Sequence, residues 1–292
     1  MKKYCYLCLL LILPASLVMA EATVFSIKPI KNQLHLLQGK GGNVLASLGT
    51  DGLLIVDDDY AENGKLLEDA LQVLAGDSPR FVLNTHWHGD HAGSNQYFGE
   101  RNAIIVAQQN VRKRMAAGQK NSFFSSVVPP SPRSALPLVT YGDSISMHIN
   151  GNDIELVHYP AGHTDGDSVV YFVQDNVVHM GDHFFNSFFP FVDIASGGNV
   201  VSYAANVAEV LTWINDDTIV VPGHGPLASK AELQKFSEML DGTIDEVRAM
   251  LDKNMSLELI QASGLSERWK GWSVGFIPEK IWISFIVQSL QN

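Results

Sequence analysis

The chain has almost no cysteine. Two occur among 292 residues, Cys5 and Cys8. Both lie in an apolar run from Cys5 to Leu17 that follows Met1-Lys2-Lys3 and leads into Val18-Met19-Ala20. A basic start, an apolar middle and a small-residue end read as a signal peptide, residues 1–20, cleaved after Ala20. The run is short for a membrane span and has no stop-transfer flank. A periplasmic or secreted protein with no stable membrane insertion is expected, a retained N-terminal anchor being the alternative. The remainder, 21–292, then contains no cysteine, which excludes disulfides, thiolate ligands and a cysteine-rich structural zinc site. Basic residues are also scarce: 20 Lys and Arg stand against 31 Asp and Glu, a net charge of −11. Losing Lys2 and Lys3 takes this to −13. An acidic exported chain is a poor nucleic-acid binder, so the expected partner is a small molecule. Repeats, low-complexity tracts and long linkers are absent as well. About 270 residues suit one large domain, 21–292.

Histidine is concentrated instead. In Thr85-His86-Trp87-His88-Gly89-Asp90-His91-Ala92-Gly93, four metal-capable side chains fall within six residues. The stretch follows Phe81-Val82-Leu83, a short buried strand by its apolar run, and the glycines mark a loop. Three imidazoles and a carboxylate suit zinc, which takes nitrogen and oxygen ligands. Packing alone has no use for that much imidazole and charge in one place. Three further groups sit in the same context. His163 follows the strand-like Ile154–His158, Asp182 follows Val177–Met180, and His224 follows Thr218-Ile219-Val220 in a Pro-Gly-His-Gly-Pro loop. Each closes a short strand and enters a Gly- or Pro-marked loop, so all can converge on one rim.

On His86, His88, Asp90, His91, His163, Asp182 and His224, in that order, the chain resembles the metallo-β-lactamase superfamily. The resemblance implies an α/β fold, an αββα sandwich with two facing β-sheets and helices outside. The periodicity agrees: Val44–Leu48, Leu53–Val56, Ala103–Val106 and Ser168–Val173 read as further strands. Gly64–Leu74, Val201–Ile214 and Ala228–Leu251 read as amphipathic helices. The resemblance assigns His86, His88 and His163 to one zinc, Asp90, His91 and His224 to a second, and Asp182 to both. It implies that a hydroxide shared by the two ions attacks a carbonyl, with Asp90 orienting it and taking its proton. Asp57 is implied as a partner holding a ligating histidine. The family usually has glycine two places after that aspartate. Here the run is Asp57-Asp58-Asp59, a changed turn in which Asp58 and Asp59 either sit exposed or support the site.

Substrate class follows from the departures. Metallo-β-lactamases proper usually carry cysteine or serine where Asp182 stands; an aspartate there resembles lactonases and glyoxalase II-like thioesterases. Export favours a cyclic amide or ester over a cytosolic thioester. A mononuclear iron persulfide dioxygenase, with one Fe2+ in place of two Zn2+, is the reading from another reaction class. Phe184, Phe188, Phe189 and Phe191 follow Asp182 and are expected to wall the pocket. Residues 120–136, with Phe123 and Phe124, lack periodicity and are expected to form a surface loop or lid. From about residue 228 a helical extension follows. Its apolar positions Leu233, Phe236, Leu240, Ile244, Val247 and Leu251, with Trp269, Trp272 and Trp282, are expected to pack on the body or on another subunit.

Overall fold

The computed structural model describes residues 25–121, 123 and 126–291. The expected signal peptide and Phe124 lie outside these described residues.

Short apolar runs separated by turn residues build the first sheet. Its strands are β1 (Ser26–Lys31), β2 (Leu34–Gln38), β3 (Val44–Ser47), β4 (Leu54–Val56), β5 (Phe81–Leu83) and β6 (Ile104–Gln108). A hairpin of β7 (Gln119–Asn121) and β8 (Ser126–Val128) projects next, and β9 (Val139–Tyr141) completes the first sheet beside β6. The second sheet runs through β10 (Ser144–Ile149), β11 (Asn152–His158), β12 (Ser168–Phe172), β13 (Val177–His179), β14 (Ile219–Val221) and β15 (Ala228–Ser229). The helices are α1 (Gly64–Ala75), α2 (Gly89–Ala92), α3 (Asn95–Gly99), α4 (Gln109–Ala117), α5 (Val200–Trp213), α6 (Lys230–Leu251), α7 (Leu257–Ser263) and α8 (Glu279–Gln291).

The layers follow from strand parity. In β4, Leu54 and Val56 face the second sheet, where Leu156, Val170, Phe172 and Val221 meet them. Ile55 faces the other way, onto Leu67 and Leu71 of α1. Every residue of β4 is buried, so the strand reads as a continuous apolar run. In the second sheet Val177 faces inward and Val178 faces the helices α5, α6 and α8. The result is the expected αββα sandwich. β4 and β5 run parallel, as do β13 and β14, so their carboxyl ends open on one rim.

The extension after residue 228 is part of this architecture. Ser229 and Glu232 form a capping box that starts α6. Leu233, Phe236, Leu240, Ile244 and Val247 are buried, while Leu251 is half-buried. Trp282 is fully buried and stacks on Phe189, ring centroids 5.5 Å apart. Its indole N–H donates to Thr243 Oγ1 at 3.1 Å. Trp282→Ala should therefore cost about 3–5 kcal/mol, the usual range for emptying an aromatic site in a core. Chemical denaturation measures this; a loss below about 1 kcal/mol would show the outer layer to be dispensable.

Within residues 120–136 the described part carries more order than its lack of periodicity suggests: the β7–β8 hairpin pairs Gln119 with Val128. A 3-10 turn then spans Arg133–Ala135 and buries Ala135 against Trp87. Cross-strand pairing supplied the order that helical or apolar periodicity did not show. Among the described residues no helix is long and apolar enough to cross a membrane.

Candidate metal centre

All seven motif residues meet at the strand rim. Their facing atoms form two clusters, His86, His88, His163 and Asp182 in one and Asp90, His91 and His224 in the other, with facing atoms within 4.8 Å of one another in each cluster. In the first, His88 Nδ1 lies 3.1 Å from His86 Nε2 and 2.8 Å from His163 Nε2. Asp182 Oδ2 is 3.2 Å from His163 Nε2 and 3.7 Å from His86 Nε2. In the second, His91 Nε2 and His224 Nε2 are 3.2 Å apart, and Asp90 Oδ2 is 3.1 Å from His224 Nε2. The other oxygen of Asp182, Oδ1, faces this second cluster, 3.0 Å from His91 Nε2 and 3.5 Å from His224 Nε2.

Four of the five histidines have an oxygen partner on their outer nitrogen. His91 Nδ1 is 2.7 Å from Asp57 Oδ2, and His163 Nδ1 is 2.7 Å from the Phe191 carbonyl. His88 Nε2 is 3.1 Å from Asp193 Oδ2, and His86 Nδ1 is 3.1 Å from Thr85 Oγ1. The Thr85 hydroxyl donates to Asp57 Oδ2 at 2.8 Å, so its oxygen is free to accept from His86. N–H groups on the outside leave lone pairs on the inside. Several lone pairs at contact distance, with a buried carboxylate oxygen of Asp182 among them, suit a cation between them. Nitrogen and oxygen ligands at zinc's usual bond lengths sit about 3.4 Å apart around a tetrahedron. The distances above cluster around that value, so the residues fit metal ions.

Electrostatics agree with this reading. Burial, with neighbouring imidazoles, holds His86 well below its ordinary value, and burial takes His163 down to about 4 despite Asp182 beside it. Neutral imidazoles are the ligating form. Burial would raise Asp182, but the facing His91, His224, His163 and His86 hold it well below the carboxylate range. His91 is the exception: burial pulls it down, yet Asp182, Asp90 and Asp57 together push it well above the usual imidazole value.

The run Asp57-Asp58-Asp59 is fully buried, not an exposed acidic turn. Asp59 adopts φ +60°, the left-handed conformation a glycine would supply. Aspartate tolerates it, and its Oδ1 accepts from Gly41 N–H at 3.1 Å and from the Asn63 amide at 3.0 Å. Asp58 accepts from Ser94 N–H at 2.9 Å, and its second oxygen has no partner. Burial, opposed by that hydrogen bond and reinforced by Asp57, raises its pKa well above the ordinary value. A raised acid binds its proton more tightly folded than unfolded, so its contribution is fullest below the unfolded value and is lost as pH rises. Asp58→Asn, which cannot ionise, should therefore unfold at an equal or higher temperature than wild type at pH 8. The advantage should shrink towards pH 4. Thermal melts at both pH values test it; a variant equally destabilised at both refutes the raised pKa.

The centre forms the floor of a cavity of about 540 Å³. Trp87, Val128, Phe185, Phe191 and Phe276 supply its apolar wall, with Lys40 and Tyr60 among its polar groups. Of the expected phenylalanines that are described, Phe191 alone lines the cavity. Phe184 and Phe189 are fully buried in the helical layer, packed on Phe236 and Trp282 respectively. Phe188 packs on Phe185 at 5.6 Å, behind the wall. Phe123 packs at a tilt on Phe191, ring centroids 5.1 Å apart, and Phe191 does line the cavity. Phe185 was the residue to expect: its ring stacks on His224 at 5.1 Å, and its backbone bridges that of His224. Asp193, Lys40, Tyr60 and Phe276 carried no motif signal. His183, beside Asp182, is buried and contacts the Asn206 amide at 3.1 Å, away from both clusters.

The fold and this centre define a class, and comparison with known proteins places the chain in it. The profile of the metallo-beta-lactamase superfamily matches residues 57–224. The chain belongs to the metallo-beta-lactamase superfamily and is a metal-dependent hydrolase, of a family whose enzymes act on small molecules. It is 29% identical over 171 residues to a probable metallo-hydrolase of Bacillus subtilis, covering 57% of this chain and 78% of that one. It is 23% identical over 231 residues to the alpha subunit of a 2,4-dinitroanisole O-demethylase of Nocardioides sp., covering 77% and 66%. Among solved structures, a sec-alkylsulfatase from Pseudomonas sp. superposes with a TM-score of 0.68 at 15% identity, over 90% of this chain and 50% of that one. A metallo-beta-lactamase from Pontibacter korlensis superposes at 0.63 and 17%, over 74% and 99%. These superpositions show the shared fold.

Proposed function

We propose that the protein is an exported dinuclear zinc hydrolase that opens the carbonyl of a cyclic amide or ester. The observation that supports two ions over one is Asp182, whose two oxygens face separate clusters. Ions bound there would supply a Lewis acid and a water that ionises near neutral pH.

The chain's own residues supply the rest of the chemistry. The hydrogen bonds that the imidazoles donate to Asp57, Asp193, Thr85 and the Phe191 carbonyl keep their lone pairs aimed inward before anything binds. Asp90 lines the cavity and is partly open to it. Its carboxylate is positioned to take a proton from the attacking water and to return it to the leaving group. Trp87, Phe185 and Phe191 keep bulk water from the reacting carbonyl, which strengthens each charge interaction at the site.

The test is metal content paired with turnover. Elemental analysis of the purified protein comes first. A chromogenic cephalosporin, an aliphatic lactone, a thioester and, given the Nocardioides relative, 2,4-dinitroanisole follow. About two zinc ions per chain with lactam or lactone turnover is the expected result. Turnover of the thioester alone would move the enzyme to the glyoxalase II type. One iron with oxygen uptake on a persulfide would overturn hydrolysis by two zincs.

A further inference from the structure

The cavity above the centre has a single cationic side chain on its wall, Lys40. Around it the sequence reads Gly39-Lys40-Gly41-Gly42, three residues without side chains presenting one with a long cationic arm. The glycines are needed because the loop lies directly on the metal-binding segments. A Cβ on Gly41 would meet Asp59 Oδ1 and the Asp90 carbonyl at 2.6 Å, and one on Gly42 would meet the His91 ring at 2.2 Å. Hydrogen bonds fix the loop on both sides of the centre. Gly42 N–H donates to the Asp90 carbonyl at 2.9 Å, and Asn43 N–H donates to the Gly223 carbonyl at 2.8 Å, next to His224. The Asn43 amide also donates to the carbonyls of Pro222 and Gly225. The Lys40 backbone is thus held at a set place relative to Asp90 and His224.

The ammonium itself is free to act. Among the described residues no carboxylate pairs with Lys40, although the chain carries a large excess of acids. The wall elsewhere is apolar: Trp87, Val128, Phe185, Phe191 and Phe276. A pocket with one cationic arm tethered at its edge and an aromatic wall matches a ligand with one anionic group and an apolar body.

We propose that Lys40 is a specificity residue that anchors an anionic group of the substrate, so that the enzyme selects amphipathic acyl compounds bearing a carboxylate or similar anion some distance from the scissile carbonyl. This rests on the hydrolase reading above and goes further, to the substrate's second functional group. Arg114 is committed elsewhere, to a two-point pair with Asp165 at 2.6 and 2.8 Å. Lys40 is the cation placed for the role.

The probes are two stable compounds of one shape, the monoanilide of glutaric acid and its neutral counterpart with a primary amide in place of the carboxylate. Calorimetric titration of zinc-loaded wild type should show the anion binding about tenfold tighter, the usual worth of one charge-assisted hydrogen bond. Lys40→Ala should erase that preference while leaving the neutral compound's affinity and the zinc content unchanged. Lys40→Arg should keep most of it. Added salt should weaken the preference in wild type and not in Lys40→Ala. A preference that persists in Lys40→Ala would assign the anion to the metal ions and overturn the proposal. Equal binding of both compounds by wild type, or no binding of either, would overturn it too. The corresponding p-nitrophenyl ester of glutaric acid separates the two readings: binding that follows Lys40 with no ester turnover would count against the hydrolase reading alone.

Discussion

If the centre holds two ions as proposed, Asp182→Ala should abolish turnover and lower the metal content from about two equivalents to one or fewer. The expectation follows from the charge carried by the ligands. The first cluster has three imidazoles and a single carboxylate, Asp182; the second has two imidazoles and a single carboxylate of its own, Asp90. Among the described residues Asp182 is also the only group with an oxygen near each, at 3.2 Å from His163 Nε2 and 3.0 Å from His91 Nε2. Two dications held about 3.5–4 Å apart repel strongly, and a carboxylate between them offsets that repulsion. Without it, three histidines can still hold one ion, as three-histidine sites do. The second site loses an anionic ligand and faces an uncompensated neighbour. His88→Ala should behave differently, since His88 contacts the first cluster alone: one equivalent lost, the second site kept, and hydrolysis lost with the first. Elemental analysis beside a turnover assay separates the two variants. Two metal equivalents with unchanged turnover in Asp182→Ala would place that residue outside the centre.

Much of this was legible in the chain, for a physical reason. Metal ligands must be particular residue types, and in this topology they close short apolar strands. The strand ends at Leu83, His179 and Val221 therefore announced His86, Asp182 and His224. The αββα layering was legible for a similar reason: fully buried strands such as β4 can exist only between two covered faces.

The pocket wall was harder to read because it depends on direction, which composition does not carry. Phe184 and Phe185 are adjacent, and Phe184 has extended backbone, φ −150° and ψ 118°. Successive side chains in extended chain point to opposite sides, so Phe184 enters the helical core and Phe185 meets His224. A one-residue error exchanges wall for core. Asp193, Lys40 and Phe276 are remote in sequence from the ligands and reach the site through loop paths alone. Asp58 and Asp59 show the opposite failure. Acid runs are usually solvated, but here the chain passes directly beneath His91 and Ser94, and Asp58 N–H donates to the His91 carbonyl at 2.8 Å.

The second large effect separates binding metal from using it. Asp90→Asn should keep most of the metal and lose about two to four orders of magnitude in turnover, the usual contribution of a positioned acid–base group. Asparagine is nearly isosteric and retains one oxygen, so contact with the second cluster survives, while the capacity to accept a proton disappears. The two carboxylates of the centre occupy different surroundings. Both line the cavity, but Asp182 is 5% exposed and surrounded by imidazoles from both clusters, whereas Asp90 is 22% exposed. Asp90, the more open of the two, is the better placed to pass a proton to a leaving group in the cavity. Asp90 is also fixed there without help from substrate: its segment begins α2, and its carbonyl accepts the Gly42 N–H that holds the Lys40 loop. The variant should therefore fold and bind probe compounds as wild type does, with its deficit in kcat rather than KM. Loss of the second metal equivalent in Asp90→Asn would make Asp90 a ligand whose charge the ion requires, and full kcat with metal retained would move the proton transfer to another group.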